Sequence, residues 1–107
     1  MTTTLDIRRP SPHVAEVYLN RPDVRNAFND GVIAELTATF AAFAHDTGLR
    51  AVVLGGHGKA FCAGADLAWM RAMADYDWER NRADAQALAD MLWTVYTCPV
   101  PVVGRIH

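Results

Sequence analysis

The chain has 107 residues, of which 51% are hydrophobic and 21% charged, a composition that folds and excludes wholesale disorder. A net charge of −2 without a basic stripe argues against nucleic acid as a partner, and no apolar run reaches the roughly 20 residues that span a bilayer. Two cysteines, Cys62 and Cys98, are too few for a disulfide framework and lack zinc-ligand spacing, so a reducing, cytoplasmic setting without a metal is expected.

Residues 1–10 contain no continuous apolar stretch, so no signal peptide is expected. Residues 3–9 and 13–20 read as two strands of an antiparallel hairpin, because Leu5 and Ile7, then Ala15, Val17 and Leu19, alternate with polar neighbours. Pro10-Ser11-Pro12 supplies the turn. Residues 21–28, with Pro22, Asp23 and Asn26, have loop chemistry. A helix then starts with Asn29 or Asp30 as its cap. Its apolar residues Ile33, Leu36, Phe40 and Phe43 recur at helical spacing on one face, and Gly48 is the expected stop.

Residues 51–54 are wholly apolar, as suits a strand buried on both faces of a parallel sheet. Residues 55–59 read as a flexible loop. Asp66 is placed to cap a helical stretch through Met73. A long helix follows over residues 77–97, with Ala85, Leu88, Leu92 and Val95 as its inner stripe and Pro99 and Pro101 beyond its end. Val102, Val103 and Ile106 begin another buried strand that runs off the end of the chain. The order β-β-α-β-α-α-β implies an α/β fold with parallel pairing in its later part.

Two segments carry candidate chemistry. Gly58-Lys59 has the ending of a phosphate-binding P-loop, but Val53 stands where the first glycine is required and Ala60 where magnesium needs a hydroxyl. Phe61-Cys62-Ala63-Gly64-Ala65-Asp66 is different. It joins a strand to a helix, where small residues admit close approach and amides point outward unpaired. Such amides can form an oxyanion hole, although small residues at such a junction also serve packing alone.

Three motifs resemble those of the enoyl-CoA hydratase/isomerase (crotonase) family. They are Leu19-Asn20-Arg21-Pro22 with Asn26-Ala27-Phe28, then Arg50-Ala51-Val52-Val53-Leu54 with the run from Lys59 to Leu67, and finally the run from Pro99 to His107. They occur in the family's order and cover nearly the whole chain. The stretches 66–70 and 84–92 are most similar to the methylglutaconyl-CoA hydratase branch, whose members hydrate branched, carboxylated acyl-CoA thioesters.

The resemblance implies the crotonase (ClpP-like) spiral of ββα units. Residues 1–107 would be its N-terminal portion, ending before the second oxyanion-hole loop. It implies that the backbone N–H of Ala65 is one of two oxyanion donors. It implies contacts to coenzyme A from Arg25, Ala27, Ala63, Ala65, Asp66 and Leu67. Arg25 suits a CoA phosphate and equally a solvated loop charge. Asp66 suits a helix cap or a contact near the ligand. Trp69, Met70 and Met73 suit an acyl pocket or core packing.

The family's second amide and its acid/base glutamates lie at positions after His107. Glu16, on the hairpin, and Glu35 and Glu79, on helix surfaces, are not candidates to replace them. Nor are His13, His45, His57 and His107, since no nucleophile, base and orienter converge in the sequence. The expected parent is an acyl-CoA hydratase, the alternatives an isomerase or another thioester enzyme of this fold. Coenzyme A belongs to the substrate, so no separate cofactor is implied, and a homotrimer or hexamer is expected. Residues 1–107 alone are expected to be inactive and poorly stable, with an uncovered sheet edge.

Overall fold

The computed structural model describes residues 4–107, so the predicted strand start at Thr3 lies outside the described residues. Strand β1 (Leu5–Ser11) pairs antiparallel with β2 (Val14–Leu19). The hairpin forms as expected, but β1 continues through Pro10, and the turn sits at residues 12–13. The register shifts between Arg8 and Ser11. A proline, which cannot donate to the ladder, is accommodated at that irregularity on the edge strand.

Helix α1 (Asp30–Phe43) is capped by Asn29, whose side chain accepts the Val32 N–H at 3.0 Å. Val32, Ile33, Leu36, Phe40 and Phe43 are its buried face. The helix ends before Gly48. The Asp46 carboxylate accepts the Gly48 N–H at 3.2 Å and binds Arg9 at 2.7 Å. Local side-chain bonding of this kind replaces the next helical turn.

Strand β3 (Ala51–Gly56) and β4 (Val102–Gly104) complete a sheet of order β1-β2-β3-β4, with β2/β3 and β3/β4 parallel. Gly55 and Gly56, expected in the loop, are strand residues paired with Tyr18 and Leu19. The expectation that β3 is buried on both faces holds only for part of it: Val52 is fully buried, whereas Val53 and Leu54 are half-buried. Val103 and Ile106 are exposed, not buried, because β4 lies at the sheet's edge and Ile106 falls beyond the strand.

Helix α2 (Leu67–Met73) and α3 (Trp78–Tyr96) fall where expected, capped by Asp66 and Asp77. Helices α1 and α3 pack together, and Leu36, Phe40 and Met91 join Val17, Leu19 and Val52 in the core. The buried stripe of α3 is only partly the expected one. Met91 is its buried residue, with Leu88 and Val95 packed beside it. Ala85 is exposed and Leu92 is 55% exposed. Both thiols are free, and no metal cluster or membrane-length apolar helix occurs among the described residues.

The α3 assignment is testable by urea unfolding. Met91→Ala should cost about 2–5 kcal/mol, the range for emptying a core site. Leu92→Ala should cost at most about 1 kcal/mol, because half of that side chain already meets water.

Candidate active site

The loop after β2 makes a short 3-10 turn at Pro22–Val24 and then places Arg25 (φ 52°) and Asn26 (φ 58°) in the left-handed region. Two successive non-glycine residues there are sparsely populated conformations. Tertiary bonds hold them. Asn26 is 1% exposed. Its Nδ2 donates to the carbonyls of His57 at 2.8 Å and Ala60 at 2.9 Å, and its Oδ1 accepts the Arg21 N–H at 2.8 Å. The Arg25 carbonyl accepts the Ala63 N–H at 2.9 Å. The loop of residues 21–28 is thus clamped onto residues 57–63. Packing is tight enough that a Cβ on Gly56 would lie 2.7 Å from the Phe61 carbonyl and 2.9 Å from Asn26 Nδ2.

Next in the chain, Phe28 forms a parallel bridge with Ala65. The Phe28 N–H donates to the Gly64 carbonyl and its carbonyl accepts the Asp66 N–H, both at 2.7 Å. In a trans peptide the C=O and the following N–H point in opposite directions. With the Gly64 carbonyl turned to Phe28, the Ala65 N–H is turned away from the bridge. Gly64 has φ +105° and open space around it. That conformation belongs to glycine, and it sets the plane of the Gly64–Ala65 peptide.

Asp66 does two jobs. Its Oδ1 accepts the Trp69 N–H at 3.0 Å as the α2 cap, and its Oδ2 pairs with Arg21 Nη2 at 3.0 Å. The helix-end N–H of Trp69, and then the Arg21 guanidinium, hold its carboxyl below the ordinary carboxylate value. Arg21 also donates to the Ala27 carbonyl at 2.6 Å. It therefore ties the first loop to the head of α2.

A groove of about 470 Å³ gathers Arg25, Ala27, Ala63, Ala65, Asp66 and Leu67. All six residues named from the sequence as coenzyme A contacts line this one surface. An adjoining cavity brings Lys59 beside Arg25. On the other side, an apolar chamber of about 500 Å³ is lined by Leu54, Phe61, Cys62, Gly64, Met91 and Leu92 among others. Gly64 faces the chamber and Ala65 the groove, so their shared peptide stands where the two meet.

Trp69, Met70 and Met73 are not brought to this place. Trp69 lines a separate groove between α1 and α3, and its Nε1 is buried without a hydrogen-bond partner. Met70 is 48% exposed and Met73 half-buried. Glu35, expected on a helix surface, is half-buried and accepts hydrogen bonds from the Thr4 N–H and hydroxyl. Arg21, Asn26 and Lys59 are residues that motif reading did not single out for roles. For Asn26 the available signal is chemical, since asparagine is enriched several-fold at positive φ.

A parallel-led sheet covered by α1 and α3, with this glycine turn at the head of α2, defines a crotonase-type α/β unit. The enoyl-CoA hydratase/isomerase family matches over residues 10–107, and the chain belongs to that family. It is 39% identical over 95 residues to a putative enoyl-CoA hydratase of Thermus thermophilus, covering 89% of this chain and 38% of that protein. It is 33% identical over 115 residues to a mitochondrial Delta(3,5)-Delta(2,4)-dienoyl-CoA isomerase of Mus musculus, covering 97% of this chain and 34% of that one. The crystal structure of an enoyl-CoA hydratase from Shewanella pealeana superposes with a TM-score of 0.94 at 33% identity, over 99% of this chain and 40% of that chain. The chain thus spans between a third and two fifths of the length of these relatives.

The clamp has measurable consequences. Asn26→Ala should destabilise the protein by about 2–4 kcal/mol, because it strands buried carbonyls and an N–H without partners. Asp66→Asn tests the cap and ion pair through pH. A carboxyl depressed in the folded state stabilises above its ordinary pKa and loses that contribution as pH falls through the depressed value. The gap between wild type and Asp66→Asn should be widest at neutral pH and close in acid, as followed by thermal unfolding at each pH.

Proposed function

We propose that this chain supplies the coenzyme A groove and one oxyanion donor of a cytoplasmic acyl-CoA hydratase. The observation that supports the reading best is the Gly64–Ala65 peptide, held by Phe28 with the Ala65 N–H turned outward between groove and apolar chamber. Addition of water to a 2-enoyl thioester pushes an electron pair through the double bond onto the thioester oxygen. A fixed N–H aimed at that oxygen stabilises the enolate, and being already oriented it costs no reorganisation during the reaction.

The proposed seating follows from charge and polarity. Arg25 lines the groove and Lys59 the adjoining cavity beside it, and both suit coenzyme A phosphates. The apolar chamber suits the acyl group, with Leu54, Phe61 and Met91 as walls. The helical stretches of residues 66–70 and 84–92 favour a branched, carboxylated acyl group of the methylglutaconyl type. The acid/base pair and the second amide belong, in this proposal, to residues outside 1–107, as does assembly into a homotrimer or hexamer. Residues 1–107 alone are then expected to bind acyl-CoA without turning it over.

A second reading, double-bond isomerisation, is favoured by the likeness to a dienoyl-CoA isomerase over 97% of this chain. Both reactions pass negative charge to the thioester oxygen. They differ in product, a 3-hydroxyacyl thioester against a shifted double bond, so mass spectrometry of the product separates them.

The test is hydration of crotonyl-CoA by the full-length gene product, followed by loss of enoyl-thioester absorbance. Absence of any thioester turnover would count against the proposal. Ala65→Pro removes the N–H and should lower kcat by about 10²–10³, the measured range for one oxyanion donor. Ala65→Gly keeps the N–H and should retain most activity. Arg25→Gln and Lys59→Gln should each raise KM about tenfold for coenzyme A thioesters, the scale of a lost charged hydrogen bond, and leave KM for the pantetheine thioester unchanged.

A further inference from the structure

The oxyanion peptide is carried by the segment that follows β3. It begins at Gly58, which has φ +88°, packs so closely that a Cβ would lie 2.7 Å from Pro22, and has its carbonyl 2.9 Å from His107 Nε2. Immediately before it, His57 is anchored three ways. Its N–H donates to the Leu19 carbonyl at 2.9 Å, and its carbonyl accepts from Asn26 Nδ2. Its side chain reaches across the face of β2 to β1, where Nε2 lies 2.8 Å from Asp6 Oδ2. The imidazole stacks on the Tyr18 ring, with centroids 4.8 Å apart and planes 21° apart. The same Asp6 oxygen is held by Arg8 at 2.8 Å.

We propose that Asp6 and His57 act as a positioning strap, fixing across three strands the start of the segment whose Gly64–Ala65 peptide carries the oxyanion donor. The inference rests on the acyl-CoA reading above. The route is continuous. His57 and Ala60 share the Asn26 amide, and the neighbouring Arg25 carbonyl takes the Ala63 N–H. Asn26 fixes the segment against the first loop, and the strap fixes it against the sheet. Removing the strap loosens His57 and, through the Asn26 amide that His57 shares with Ala60, the seating of the segment against the sheet. Arg8, and then His57, hold the Asp6 carboxyl below its ordinary value, so the acceptor end of the strap stays charged at neutral pH. Neither side chain lines the coenzyme A groove, and His57 faces a separate cavity with Arg8, Tyr18 and His107, so both are assigned as positioning residues.

Misplacing a reacting group by an ångström can cost about a hundredfold. His57→Ala should therefore lower kcat roughly tenfold to a hundredfold with KM nearly unchanged, because Arg25 and Lys59 are left in place. His57→Gln keeps an N–H donor for Asp6 and should recover most of the loss. Asp6→Ala should match His57→Ala, and the double variant should be no worse than either single one.

The direct readout is the infrared carbonyl band of crotonyl-CoA labelled with ¹³C at the thioester and bound to the full-length protein. Binding should shift the band to lower frequency, and His57→Ala should reduce that shift while His57→Gln preserves it. A wild-type kcat and band in His57→Ala overturns the strap even where thermal stability falls, as does failure of glutamine to rescue. No band shift in wild-type protein overturns the oxyanion reading itself, and the strap with it. Where His57→Ala does not fold, Asp6→Asn, which preserves side-chain size and removes the charge, is compared by the same band and the same kcat.

Discussion

The structure turns on two backbone bonds made by one residue. Phe28 donates to Gly64 and accepts from Asp66, and in doing so it fixes which way the intervening peptide faces. Everything around it serves to make that bridge rigid. Asn26 braces the loop that delivers Phe28, Arg21 joins that loop to the α2 cap, and Gly64 adopts a positive-φ conformation open to glycine. A backbone donor has no rotamer to lose, so its precision is that of the two loops that hold it.

This explains why polar residues lie where a small core has little to spare. A single sheet with helices on one face buries limited apolar surface, yet Asn26 and Asp66 are buried beside it. Burying a polar group costs little only when its hydrogen bonds are made. Asn26 uses both amide hydrogens and its carbonyl, and Asp66 uses both carboxylate oxygens. The strain of two left-handed residues is sustained by the same bonds, since the fold over-determines their conformation.

Much of this was legible in the sequence, for identifiable reasons. The stripe of α1 is unambiguous because every residue on its inner face is large and apolar. The stripe of α3 is ambiguous. Ala85, Leu88, Leu92 and Val95 and the alternative Asp84, Leu88, Met91 and Val95 both follow helical spacing, and Asp84 disguises the second. Packing against α1 decides between them. Gly48 misleads because the Asp46 side chain, itself held by Arg9 from a distant strand, ends the helix sooner. The groove residues Ala27, Ala63, Ala65, Asp66 and Leu67 fall within the sequence motifs, and Arg25 lies between the two runs of the first. Arg21, Asn26 and His57 act through partners far along the chain, which no local pattern reveals.

The groove and the chamber are held in different ways. The groove is bound by hydrogen bonds between loops, so changing Asn26 or Phe28 disturbs the Gly64–Ala65 peptide itself. The chamber takes one wall from α3, where Met91 is buried and Leu92 and Tyr96 project with 55% and 82% of their surface exposed, and the rest from the sheet, α1 and the loops. Phe28 and Gly64 line this same chamber, so the bridge forms part of its wall. Relatives named as hydratases and as an isomerase match this chain in sequence, so within this family the chemistry follows the residues placed on the fold rather than the fold itself.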